Sequence, residues 1–432
     1  MSEAAYNLDV VAQSVPAVDQ TKGVPRSRPI PHVNIQAFCE DKRTADAIES
    51  ASADRRLAKA KVVVHMGGIK SAIALYGDAP TPNLIIAETV LGRSEMLSDL
   101  ESLAEVCDPN TKVVVVGYLN EVEIYRELLR FGVSDYVVGP VSVPQVIEAI
   151  SSIYANPDTD PIGQVIAFVG AKGGSGSSTV CHNTAFALSN LVEADVVVAD
   201  LDLPFGTGGL DFNLDPFQGI NEALASYERL DEALLDRLLS RCADHLSLLA
   251  APIVLDHPYN IDTNACTSVI DIMRRAVPWI AVDVPHVWTA WAKEVLLKAD
   301  TVVITAAPDL ANLRNTKNLL DELKRSRPND SLPILVLNQL GVPKRPEITR
   351  KEFGSAIELE PKVAIDFDAK LFGDAANNGQ MIEELSGKSD AAQSFRWLAS
   401  VISDHSEPTK ENESLFAPIL SRLSLSTFLG RK

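Results

Sequence analysis

The stretch QVIAFVGAKGGSGSSTVCHNTAFAL, residues 164–188, opens with an apolar run, turns through a glycine-rich loop and continues into a helical pattern from Ser177. A strand, a glycine-rich turn and a helix, in that order, form the context that a phosphate loop requires. Glycines at 173, 174 and 176 let backbone N–H groups converge on one point, and the helix start adds the positive end of its dipole. The loop residues Gly173, Gly174, Ser175, Gly176, Ser177, Ser178 and Thr179 are therefore candidates for holding a nucleotide. A hydroxyl at Ser178 or Thr179 is placed to hold Mg2+ beside the phosphates. Against the usual G-x-x-x-x-G-K-[ST], the first glycine is Ala171 and the lysine is Ser177, while an earlier lysine, Lys172, is kept.

Downstream of the loop, ADVVVADLD, LSLLAA, PWIAVDV, DTVVITAA and PILVLNQ are apolar runs that each end in a loop, so with the first strand six are expected in this part of the chain. Upstream, VNIQAF, AKVVVHM, NLIIAE, KVVVVGY and SDYVVG alternate with helical patterns such as EVEIYRELLRFG, and a closing helix is expected after Pro144. Uninterrupted Val/Ile runs with crossover helices argue parallel sheets covered on both faces. The fold class is thus α/β with two doubly wound parallel-sheet domains, at 32–157 and 163–403, joined by the linker PDTDPIG. Residues 1–31, with Pro16, Pro25, Pro29 and Pro31, read as a disordered arm, and 404–432 as a polar tail with a short apolar end.

Composition narrows the function classes. The 432 residues carry 39 Lys+Arg against 58 Asp+Glu, a net charge of −19, and both halves are acidic. A polyanion is repelled by such a chain, so nucleic acid is not an expected partner. The five cysteines are odd in number and scattered without a C-x-x-C pair, which suggests neither disulfides nor zinc and suits a reducing cytoplasm. No run of 18 apolar residues occurs, so any membrane contact is expected to be peripheral.

The K-G-G-x-G-x-[ST]-T loop resembles the deviant Walker A of the MinD/ParA family of dimerising ATPases. In that family the early lysine, here Lys172, reaches across a homodimer interface to the partner's nucleotide. Three further stretches match in order. VVVADLDLPFGTGGLDF resembles the first switch, in which Asp202 would orient the attacking water and Asp200 would lie near the metal. WIAVDVP resembles the Walker B strand, with Asp283 near Mg2+, and ILVLNQLG ends in Asn338, from which the family recognises adenine. The resemblance implies ATP and Mg2+ as ligands, with turnover slowed by the loss of the late lysine. Taken singly, the three aspartates also suit strand-end turns, and Asn338 suits a left-handed loop position. Their common place at the carboxyl ends of parallel strands is what points to a ligand. Cys181 and His182 are read as helix packing.

The domain from Val33 to about Asn156 resembles the receiver of two-component response regulators. An acidic pair follows its first strand as Glu40 and Asp41, but Glu88 stands for the phosphorylated aspartate, Gly117 for a Ser/Thr, and Gly139-Pro140 for Lys-Pro. A receiver insensitive to phosphorylation, used for docking or self-association, is expected. This domain joined to a deviant-Walker ATPase resembles the CpaE/TadZ family, which implies pilus or secretion assembly proteins as partners and a place at a cell pole. A scaffold that does not hydrolyse ATP, and a septum-site or partition ATPase, are the rival readings. The terminal LFAPILSRLSLSTFLGRK has a helical apolar stripe beside Arg422, Arg431 and Lys432, so contact with the inner membrane is one reading and packing on a partner another.

Overall fold

A computed structural model describes residues 33–77, 79–154, 163–252, 255 and 259–404. The expected arm, most of the linker and the apolar C-terminal segment lie outside the described residues. The chain forms two compact units, each with its own sheet.

The first sheet contains β1 (Val33–Cys39), β2 (Ala60–Met66), β3 (Leu84–Glu88), β4 (Lys112–Gly117) and β5 (Asp135–Val138). It is parallel throughout, in the order β2-β1-β3-β4-β5. The order reverses between β1 and β3, so their carboxyl ends open the crevice in which such sheets collect ligands. Alternate residues feed opposite cores: Ile35, Ala37, Ile86 and Val114 pack on one face, and Phe38, Ile85, Ala87 and Val115 on the other. That two-sided burial is why the strands read as unbroken apolar runs. The closing helix is Val143–Tyr154 and so includes Pro144 in its first turn rather than following it. Proline is tolerated there because the first N–H groups of a helix have no intrahelical acceptor.

Among the described residues the second sheet has eight strands rather than six: β6 (Gln164–Gly170), β7 (Val196–Asp200), β8 (Ser240–Ala243), β9 (Leu246–Leu249), β10 (Trp279–Val284), β11 (Thr301–Ala306), β12 (Ile334–Leu340) and β13 (Val363–Asp366). Their order is β13-β12-β11-β6-β10-β7-β9-β8, all parallel except β8, which pairs antiparallel with β9. The two additions are four-residue edge strands, too short and too mixed in polarity to stand out as apolar runs. On β6, Val165, Ala167 and Val169 enter one core while Ile166 and Phe168 enter the other. The second of these cores seats the helix Ser177–Val192, through Val180, Cys181, Ala185 and Leu188, between the sheet and the helix Asp390–Ser403. Central β6 and its helix are thereby packed on both sides, which gives the loop between them a firm scaffold. Among the described residues no helix is long and apolar enough to cross a membrane.

Candidate functional site

The loop from Ala171 to Gly176 is pinned from both sides by its carbonyls. On one flank the Gly170 carbonyl accepts from His286 Nδ1 and that of Ala171 from Asn315 Nδ2, both at 2.9 Å. On the other, the Gly174 and Ser175 carbonyls accept from Gln339 Nε2 and Asn338 Nδ2, again at 2.9 Å. The amides of Gly173, Gly174 and Gly176 meet no acceptor among the described residues. The buried hydroxyls of Ser175 and Ser177 have no partner either. Converging free donors at a helix start are the chemistry of an anion cradle. Ser177 fills the late-lysine position with a hydroxyl only, and Lys172 is exposed on the rim.

Gly176 has φ +86°, and a Cβ there would collide with Asn338 Nδ2. Gly176→Ala is therefore expected to lower stability by about 2 kcal/mol, read from denaturant midpoints, because it adds backbone strain to a clash. Asn338 lies inside β12 and is buried, while Gln339 takes the left-handed conformation. The sequence alternative of a left-handed Asn338 is thus corrected. Its Nδ2 is committed to the loop, and Oδ1 is the atom left for an amino group such as that of adenine.

Two acids stand opposite the loop. Asp200 ends β7, Asp283 lies near the end of β10, and the two are registered neighbours. Both are buried, with exposures of 0% and 2%. Asp200 accepts from the amides of Asp202 and Gly208, each at 3.1 Å. Burial, and then the charge of Asp283, pushes the Asp200 carboxyl up to about 7. Burial also raises Asp283, against the opposing pull of His182 and a hydrogen bond from Ser178. Half-buried Asp202 is raised by burial and accepts from the Phe205 amide. Buried carboxylates that resist ionisation are relieved by a divalent cation, so Asp200, Asp283 and the Ser178 hydroxyl fit Mg2+ as the loop fits phosphates.

His182, read from the sequence as packing, belongs to this cluster. It is fully buried, its Nδ1 is 2.7 Å from Asp211 Oδ2, and its Nε2 is 3.9 Å from Asp283 Oδ2. Burial alone would lower its proton affinity, but the Asp211 hydrogen bond and the surrounding carboxylates hold it above the ordinary histidine value. The available signal was its spacing: four residues after Ser178, it falls on the same helix face. Cys181 does pack in the core, and burial pushes its thiol well above the usual range.

In the first domain, Glu88 at the end of β3 is completely buried and fully engaged. Its carboxylate accepts from the amides of Glu40 (2.7 Å) and Asp41 (2.9 Å), from Thr44 Oγ1 (2.7 Å) and from Tyr118 Oη (2.7 Å). Gly117 leaves no room for the Ser/Thr of a receiver, since a Cβ there would collide with the Tyr136 ring. Glu88→Ala strands four donors and is expected to cost about 3 kcal/mol or more in urea unfolding, whereas Glu88→Gln, which keeps an acceptor, should lose less than half of that.

No protein-family model matches the chain. The crystal structure of a pilus assembly protein CpaE from Caulobacter crescentus CB15 is 47% identical in sequence, with 30% of this chain and 98% of that chain covered and a TM-score of 0.29. The match lies in the N-terminal part. A ParA family ATPase from Chlorobium tepidum TLS is 27% identical, with 56% of this chain and 98% of that chain covered and a TM-score of 0.51. The chemotaxis protein CheY of Treponema pallidum (strain Nichols) is 28% identical over 75 residues, which are 17% of this chain and about half, 51%, of that protein. The receiver-like and MinD/ParA-like expectations for the two sheets therefore stand.

Proposed function

We propose, on the premise that this chain belongs to the family of CpaE pilus assembly proteins, that it is an ATP- and Mg2+-dependent dimerising assembly factor with slow turnover. The observation that carries the reading is the meeting of three unpaired glycine amides with two buried carboxylates at the carboxyl ends of the central strands β6, β10 and β7. In this reading the amides of Gly173, Gly174 and Gly176 and the hydroxyls of Ser175, Ser177 and Thr179 bind phosphate oxygens. Ser178, Asp200 and Asp283 hold Mg2+, Asp202 orients a water, and Asn338 Oδ1 faces the base. Bound Mg2+ would neutralise charge on the phosphates. Ser177 supplies no such charge, and a missing cation worth on the order of 3 kcal/mol slows hydrolysis about a hundredfold.

Self-association is supported by where the second domain leaves large apolar side chains uncovered. Phe205, Leu210, Phe217, Trp288, Leu310 and Phe367 are all exposed, and all lie in segments that follow carboxyl ends of parallel strands, the edge that also bears Lys172. Exposed apolar clusters of this kind mark interaction surfaces. The expected setting is the cytoplasmic side of the inner membrane at a cell pole, with pilus or secretion assembly proteins as partners. Light scattering without nucleotide, with ADP and with ATP, followed by phosphate release from the same samples, tests the reading. Dimers only with ATP and slow release support it, and identical masses in all three samples refute it.

A scaffold that associates without nucleotide is the second reading. It is favoured by the first domain's helix Val122–Arg130, on which Val122, Tyr125 and Leu129 form an exposed apolar stripe. Dimers present in every sample would select it.

A further inference from the structure

We propose that His182 is a positioning residue that ties the turn Thr207–Asp211 to Asp283, so that a metal arriving at Asp283 tightens the segment carrying Asp200 and Asp202. The inference rests on the ATP–Mg2+ reading above. His182 projects from the helix Ser177–Val192, one turn beyond Ser178. One end of its ring is anchored: Nδ1 donates to Asp211 Oδ2, which also accepts from Thr207 Oγ1 at 3.1 Å. Phe212 lies against the ring with centroids 5.4 Å apart, so the residues at 211 and 212 grip it from two directions. The other end is not anchored. Nε2 has no exposure and no hydrogen-bond partner, yet it faces Asp283 Oδ2 across 3.9 Å.

A histidine that merely fills the core usually has both nitrogens satisfied, because a buried polar atom without a partner is costly. With a proton on both ring nitrogens, Nε2 can donate to Asp283, and a movement of about 1 Å would bring the 3.9 Å gap to hydrogen-bond length. The same turn also touches the other acid, through the Gly208 amide on Asp200 Oδ2. The turn is thus bonded directly to Asp200 and, through His182, faces Asp283. Closing the last gap would make the two acids and the turn one unit. Side chains that orient metal-holding groups typically change metal affinity about 10–100-fold when replaced.

Two isosteric variants separate the ends of the ring: the amide nitrogen of His182→Asn falls near Nδ1 and keeps the Asp211 bond, while that of His182→Gln reaches toward the Nε2 position. Hydrogen exchange of residues 203–212 and calorimetric ADP affinity would be measured with Mg2+ and with EDTA, alongside each variant's melting temperature. The wild type should gain protection at 203–212 on adding Mg2+ and ADP. His182→Asn should lose that gain and about tenfold of the Mg2+-dependent part of the affinity, with ADP binding in EDTA unchanged, and His182→Gln should recover part of the affinity. A uniform fall in melting temperature with the Mg2+ increment intact in both variants overturns the proposal while leaving the nucleotide site standing. A wild type that binds no ADP in either condition overturns both.

Discussion

Lys172→Ala is expected to abolish ATP-induced dimerisation and to cut phosphate release about a hundredfold, while leaving the monomer's stability within about 0.5 kcal/mol. The asymmetry follows from where the lysine sits. It is exposed at the rim of a loop whose carbonyls are held by Asn338, Gln339, Asn315 and His286, so the loop's shape does not depend on it. With Ser177 in the late position, Lys172 is the one lysine between the loop's start at Gly170 and its end at Thr179. Removing it leaves backbone amides and hydroxyls to meet a polyphosphate without a side-chain cation. Lys172→Arg, which keeps the charge but changes its reach, should retain dimerisation with weakened turnover. Scattering mass and phosphate release at saturating ATP check both variants, and a Lys172→Ala protein that still dimerises with ATP would remove the lysine from the interface.

The second large effect falls on stability as well as on binding. Asp200→Asn is expected to raise the stability of the nucleotide-free protein at pH 8 by a few kcal/mol, on the order of 2–4, and to weaken Mg2+-dependent nucleotide binding about a hundredfold. Burial and Asp283 raise the folded-state pKa of Asp200 to about 7. Between the ordinary carboxylate value near 4 and that raised value, the folded protein binds more protons than the unfolded chain. Stability from this group is therefore present at low pH and lost as pH rises through 7. The asparagine variant lacks that component, so the two melting curves should converge toward pH 4, separate between pH 4 and 7, and stay apart above that. An amide also keeps an acceptor for the Gly208 or Asp202 amide. A variant no more stable than wild type at pH 8 would mean that Asp200 is not held under electrostatic stress.

Most of the scaffold was legible in the sequence because both sheets are buried on two faces, which turns their central strands into unbroken apolar runs such as VIAFV and VVVV. The edge strands β8 and β13 were not, since SRCA and VAID bury only part of their length and carry no such run. The loop and its facing acids were readable because glycine spacing and strand-end position are local properties. His182 and Asp211 were not, because their meeting depends on how the helix Ser177–Val192 and the segment after β7 pack together, 29 residues apart in the chain. Glu88 was read as standing in the place of a receiver's phosphorylated aspartate. One of the four donors that hold it, Tyr118, is linked to position 88 by no spacing pattern in the sequence.

The short edges of the second sheet bear on how the protein behaves when crowded. β13 and β8 are four residues each, and β8 runs against the direction of its neighbour. Neither flank gives a foreign chain the long, flat row of unpaired amides that seeds strand addition and fibre growth. Packed at high local concentration, copies of this domain are steered away from open-ended strand addition and toward contacts through strand-end loops.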